Sequence, residues 1–146
     1  MDLTTFKHRV KVQPRFNDFD IMGHVNNALY FAYFDIGKVG YFETVWGKYI
    51  NWREVGLVVA RIESDFISPV VMNEPITVLT AVTKIGNKSL TFSQCIINST
   101  SKEIKASCET IMAGFDIDAN RTDSITSKCI EAISTYEERG FNRVKK

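Results

Sequence analysis

Hydrophobic and polar positions along this chain follow two periods. Val10-Lys11-Val12-Gln13 alternates and predicts a strand with one solvated face, inside the stretch from Phe6 to Phe16. Pro14 cannot donate to a strand ladder, so this strand belongs at a sheet edge or carries an irregularity. From Ala28 to Trp46 the period changes. Leu29, Ala32, Ile36 and Val39 recur at helical spacing, and Phe31, Phe34 and Phe42 widen the apolar face. The pattern predicts a long helix that is buried on most sides. Gly37 and Gly40 each weaken such a helix by about 1 kcal/mol relative to Ala. Close approach of the helix backbone to a sheet is the physical reason to keep them. Asn26 or Asn27 is the expected N-cap, and Gly47 the stop.

Four strand-like segments follow: Gly56 to Ile67, limited by Pro69; Ile76 to Ile85; Ser89 to Ile97; and Glu103 to Phe115. The last alternates at Ile104, Ala106, Cys108, Thr110 and Met112. Gly86-Asn87-Lys88 and Ser99 to Lys102 read as turns. A polar stretch, Asp116 to Thr126, leads to a modest helix over Ser127 to Glu138 and a basic tail, Arg139 to Lys146, expected to fray. The order is strand, long buried helix, then four antiparallel strands. It predicts an α+β fold, one curved five-stranded antiparallel sheet wrapped around one central helix. With no repeat and no linker, residues 1–146 are expected to form one domain, its core at about 6–117 and its C-terminal helix at about 127–138.

Composition narrows the function classes. The net charge is +1, from 18 basic and 17 acidic residues, and this argues against a nucleic-acid partner. The most apolar stretch, Leu29 to Val45, is interrupted by Asp35, Lys38 and Glu43, so no membrane span is expected. Met1 to Thr5 lacks a basic region followed by an apolar run. Cys95, Cys108 and Cys129 are odd in number and widely spaced. Three free thiols in a reducing cytoplasm is the resulting expectation. His8 and His24 are the only histidines and there is no CxxC, so no metal site is expected.

The chemistry concentrates in Asp18-Phe19-Asp20-Ile21-Met22-Gly23-His24-Val25-Asn26-Asn27. This polar, glycine-containing turn lies between the first strand and the long helix. It gathers carboxylates, an imidazole and two amides at a helix N-terminus, where free N–H groups stabilise developing negative charge. Acyl chemistry fits such a place. Asp35, a carboxylate inside the apolar helix, is expected to be buried and to brace the loop through backbone N–H groups.

The run from Arg15 to Asn27, with Tyr30 and Tyr33 after it, resembles the signature of hotdog-fold acyl-CoA thioesterases of the 4-hydroxybenzoyl-CoA thioesterase-like group. Val59 to Pro69 resembles the family's second strand, and Lys88-Ser89-Leu90-Thr91-Phe92 the turn into its fourth. The likeness covers roughly residues 8–117. It implies an acyl-CoA substrate, no cofactor, and a homodimer or homotetramer with the active site at a subunit interface. By resemblance Asp20 holds the catalytic aspartate position, as nucleophile or general base. Asn27 holds the position whose backbone N–H polarises the thioester carbonyl. His24 stands beside them, either to orient substrate or to structure the loop. Asn26 and Tyr30 are candidate substrate contacts, with helix capping and core packing as their plainer roles. Arg61, Lys84 and Lys88 are candidates for the coenzyme A phosphates, and Ser89 for pantetheine; surface and turn roles compete with each. Two helix positions depart from the family pattern, Asp35 in place of Glu and Lys38 in place of Arg. Rival readings are an acyl carrier protein thioesterase, a non-catalytic acyl-CoA-binding protein, and a dehydratase using His24.

Overall fold

The computed structural model describes residues 2–141. Most of the tail expected to fray, residues 142–146, therefore lies outside the described residues. Six strands form the sheet: β1 (His8–Val12), β2 (Leu57–Phe66), β3 (Ile76–Ile85), β4 (Ser89–Asn98), β5 (Ile104–Asp116) and the two-residue β6 (Arg121–Thr122). Their order is β1-β3-β4-β5-β2, antiparallel throughout, with β6 paired only to β5. The sheet curls around one long helix, α1 (Asn27–Trp46). A short helix, α2 (Trp52–Val55), precedes β2, and α3 (Ser127–Glu137) follows β6. This is the curved sheet on a central helix expected from the order of elements, and it is the hotdog fold that the resemblance implies.

Glycine lets α1 sit on the sheet. A Cβ at Gly37 would stand 2.6 Å from Val78 Cγ1 and 2.8 Å from Gln94 Nε2, and one at Gly40 would stand 3.0 Å from Val10 Cγ2. The close approach allows a direct tie between layers. Gln94 Nε2 donates to the Phe34 carbonyl (2.8 Å) and to Thr80 Oγ1 (3.0 Å). Tyr30, Tyr33 and Phe34 pack at one end of α1 with Val12, Val25, Val70, Ile76 and Val78. At the other end Tyr41 and Phe42 pack with Val82, Ile85, Leu90 and Phe92, and α3 adds Cys129 and Ile133.

The differences from expectation have local causes. β1 is shorter than Phe6 to Phe16 at both ends. Phe6 packs with Leu79, Cys95 and Ile97 in a separate cluster, and beyond Pro14 the chain turns into a 3-10 turn at Phe16–Asp18. α2 and β6 were not anticipated, because four and two residues are too short to show a period. The larger correction concerns α1. Within the chain, Ala32, Ile36 and Val39 are exposed, so one apolar stripe of the helix is uncovered. Asp35 lies on the same side with its side chain 67% exposed, pairs with Lys38 Nζ at 3.2 Å, and does not brace the loop. The buried charge on this helix is instead Lys38.

Candidate active site

The loop before α1 is closed by backbone pairing. Phe19 and Val25 form an antiparallel bridge, Asp20 N donates to the His24 carbonyl at 2.8 Å, and Gly23 N to the Asp20 carbonyl at 3.0 Å. Gly23 has φ +75, which few residues besides glycine adopt readily. This turn aims the Asp20 side chain. Its Oδ1 accepts from the Met22 N–H (2.9 Å) and the His24 N–H (3.3 Å). Its Oδ2 accepts no hydrogen bond among the described residues. One carboxylate oxygen is thus anchored and the other is left open.

Asp18 is arranged differently. It is 2% exposed, and Oδ2 accepts from the Arg15 N–H (2.9 Å) and the Tyr33 hydroxyl (2.7 Å) while Oδ1 meets the Arg15 guanidinium. Burial pushes its pKa up, but these hydrogen bonds and the Arg15 charge outweigh it and hold the carboxyl below its ordinary value. Asp18 is an anchor of the loop rather than a reactive group.

Asn26 is the N-cap, its Oδ1 accepting from the Ala28 N–H at 3.0 Å. The Leu29 N–H turns back to the Asn26 carbonyl at 2.9 Å. The Asn27 N–H is the first of the helix and meets no acceptor among the described residues. It stands at the positive end of the helix dipole.

Asp20, His24, Asn27 and Tyr30 share one cleft of about 280 Å³ with Phe66, Ile67, Ser68 and Pro69. The Tyr30 ring meets Phe66 edge-on at 5.2 Å, and Phe66 meets Phe31 at 6.2 Å. The Tyr30 hydroxyl accepts from the Val70 N–H at 3.1 Å. Sequence reasoning missed Phe66 to Pro69. Phe66 ends β2 and Ile67 to Pro69 follow it, inside the stretch that resembles the family's second strand, but nothing in that stretch marks them as cleft residues.

The remaining candidates do not reach this cleft within one chain. Arg61 is on β2 opposite Ile111, exposed and 3.8 Å from Glu63. Lys88 ends the β3–β4 turn and Ser89 begins β4, and the Lys88 carbonyl accepts from the Gly114 N–H at 2.8 Å. That turn lies by the C-terminal end of α1, and a helix of 20 residues is about 30 Å long. The three cysteines are buried, free thiols. Burial pushes Cys95 up to about 11 and Cys129 up to about 12, and it raises Cys108, so none is an activated nucleophile. Among the described residues no group of three or more His, Cys, Asp or Glu side chains is placed to hold a metal ion.

A profile of the thioesterase-like superfamily matches residues 14–133. The chain belongs to this superfamily. Its loop, cleft and the whole of α1 lie inside the matched span. An uncharacterized protein of Bacillus subtilis, YsmA, is 31% identical over 88 residues, covering 60% of this chain and 59% of that relative's length. Among solved structures, a thioesterase from Thermus thermophilus complexed with coenzyme A and Zn superposes with a TM-score of 0.83 at 26% identity, covering 94% of this chain and 98% of the other. A 1,4-dihydroxy-2-naphthoyl-CoA thioesterase from Synechocystis has a TM-score of 0.77 at 16% identity, covering 86% and 94%. At 16% identity, the likeness to the Synechocystis protein shows the fold alone.

Proposed function

We propose that this chain is an acyl-CoA thioesterase, hydrolysing an acyl-CoA to the free acid and coenzyme A, with Asp20 and the Asn27 N–H as its machinery. The observation that carries the reading is the pairing of an open carboxylate oxygen, Asp20 Oδ2, with an unpartnered helix-start N–H in one cleft. The thioester carbonyl oxygen takes the Asn27 N–H, and charge developing on it is stabilised by the donor and the helix dipole. Asp20 attacks the carbonyl carbon, or removes a proton from a water that does so. The C–S bond then breaks and the thiolate leaves without needing strong acid assistance; in the nucleophilic route a water then hydrolyses the acyl–Asp20 anhydride to the free acid, and in the general-base route the proton taken from water passes from Asp20 to the departing thiolate. Tyr30 and Phe66 flank the acyl group, and His24 faces the same space. The complex of the Thermus relative with coenzyme A supports this choice of carrier.

The reading includes a second copy of the chain in a reducing cytoplasm. The β2 edge is ten residues long, with Val58, Val59 and Ile62 exposed, and α1 has a bare apolar stripe of its own. Long apolar edges of this kind require cover. A partner joined there is the route by which Arg61, Lys88 and Ser89 reach a cleft that their own chain keeps from them.

The test is free-thiol release from short, long and aromatic acyl-CoAs by wild-type and Asp20→Asn proteins. Turnover lost in a folded variant supports the reading. Near-normal turnover in Asp20→Asn removes Asp20 from the chemistry. Absence of release from every wild-type assay overturns the hydrolase.

A further inference from the structure

The segment from Ile67 to Glu74, which carries the wall of the cleft, has no regular structure of its own. It is nevertheless stitched down on two sides. On the cleft side, the Val70 N–H donates to the Tyr30 hydroxyl (3.1 Å), the Val70 carbonyl accepts from the Val25 N–H (3.0 Å), and Val71 bridges to His24. On the far side one residue of β5 makes most of the ties. The Lys105 carbonyl accepts from the N–H groups of Ile67 (2.9 Å) and Ser68 (3.0 Å), and its ammonium donates to the Pro69 carbonyl (3.2 Å). The same ammonium pairs with Glu74 at 2.7 Å and Glu103 at 2.6 Å. Glu74 completes the loop, accepting from the Val71 N–H (3.0 Å) and from Asn98 Nδ2 (2.7 Å).

From this geometry we infer that Lys105, with Glu74, is a positioning residue for the cleft: the pair clamps the 67–74 strap against Tyr30 and the Asp20 loop. The inference rests on the hydrolase reading for its kinetic consequence, and on the contacts alone for its structural one. Lys105 and Glu74 are 6% and 9% exposed in their side chains, so the pair is held away from water. A buried pair broken on one side leaves the other charge uncompensated, and such a pair gives geometry more readily than stability. Burial opposes both charges, yet the hydrogen bonds Lys105 gives to Glu103 and to Glu74 raise its pKa, and those Glu74 accepts from Asn98 and from Lys105 lower its own. The clamp stays ionised through the neutral range. Because the strap walls the cleft without supplying a reacting atom, loosening it weakens substrate and transition state alike, and this appears in KM.

The test compares Lys105→Met, Lys105→Arg and Ile133→Val, the last a core change in α3 at the other end of the fold. Two readouts are taken: kcat and KM for the best acyl-CoA, and amide hydrogen exchange at Ile67, Ser68, Val70 and Val71. Lys105→Met is expected to raise KM about 10-fold with kcat within about 3-fold. It should speed exchange across the strap before global unfolding, and Lys105→Arg should restore most of both. Ile133→Val should change neither readout. Equal effects from Ile133→Val and Lys105→Met, or wild-type exchange in Lys105→Met, overturn the clamp. If the wild-type protein releases no thiol, the hydrolase reading falls alone, and faster strap exchange in Lys105→Met still upholds the clamp.

Discussion

The Tyr33 hydroxyl donates a 2.7 Å hydrogen bond to Asp18 Oδ2, and this contact ties the second turn of α1 to the loop that precedes it. Since Asp18 is held below its ordinary pKa when folded, its stabilising contribution is present above the unfolded value of about 3.8. The contribution is lost as pH falls through the lower folded value. Tyr33→Phe removes one of the hydrogen bonds responsible. A hydrogen bond to a charged group contributes about 1.5–3 kcal/mol, so urea unfolding at neutral pH should show a loss of that order. The acid unfolding midpoint should move to higher pH. An unchanged midpoint would mean that the bond does not set the Asp18 pKa.

Asn26 extends with ψ 136 before α1 begins at Asn27. That geometry suits a following proline, and proline is well tolerated at the first helical position because its missing N–H has no helical acceptor. Asn27→Pro therefore deletes the proposed oxyanion donor while keeping the helix. The expected result is a kcat about 100–1000-fold lower with a melting temperature close to wild type. Asn27→Ala keeps the N–H and should stay near wild-type rate. Equal rates for the two variants would move the carbonyl away from this donor.

Much of this site was legible because it is local. The cap at Asn26, the turn glycine at Gly23 and the Asp20 carboxylate all act within ten residues, and short-range spacing encodes them. β3, β4, β5 and α1 were legible through period alone. What the sequence hid is set at long range. Phe66, at the end of β2, and the strap residues Ile67 to Pro69 enter the cleft through long-range pairing with β5. Asp35 was misjudged because its place on a helix face depends on which stripe the sheet covers, and an apolar helix with little amphipathic contrast does not say. Arg61, Lys88 and Ser89 do not line the Asp20 cleft within one chain.

At Gly37 the helix touches the sheet so closely that a methyl group would overlap Val78, Gln94 and Thr80 together. Gly37→Ala gains helix propensity of about 1 kcal/mol but meets atoms of two strands that cannot all retreat. Overpacking of this kind costs about 1–3 kcal/mol, and the net change should be a loss. Calorimetry should show a melting temperature lower by a few degrees, at about 2–4 °C per kcal/mol for a chain of this size. A rise would mean that the Gln94 side chain swings aside and that its tie to the Phe34 carbonyl contributes little.

The two edges of the sheet are treated unlike one another. Where β3 runs past β1, the end of α3 guards it: Glu137 accepts from the Val82 N–H (3.1 Å) and Arg139 donates to the Thr83 carbonyl (3.1 Å). No such guard covers β2 among the described residues, although its apolar side chains are the more exposed. If a second copy covers β2, a charge at Ile62 should break the assembly, since a lysine on an edge strand opposes pairing. Sedimentation of Ile62→Lys should give a monomer where wild type gives a dimer or tetramer. Thiol release should fall with it, because the cleft would lose whatever the partner supplies, while the hydrogen exchange of α3 and β3 stays protected. A monomeric wild-type protein with full turnover would show instead that one chain completes the site, and that Arg61, Lys88 and Ser89 have no part in it.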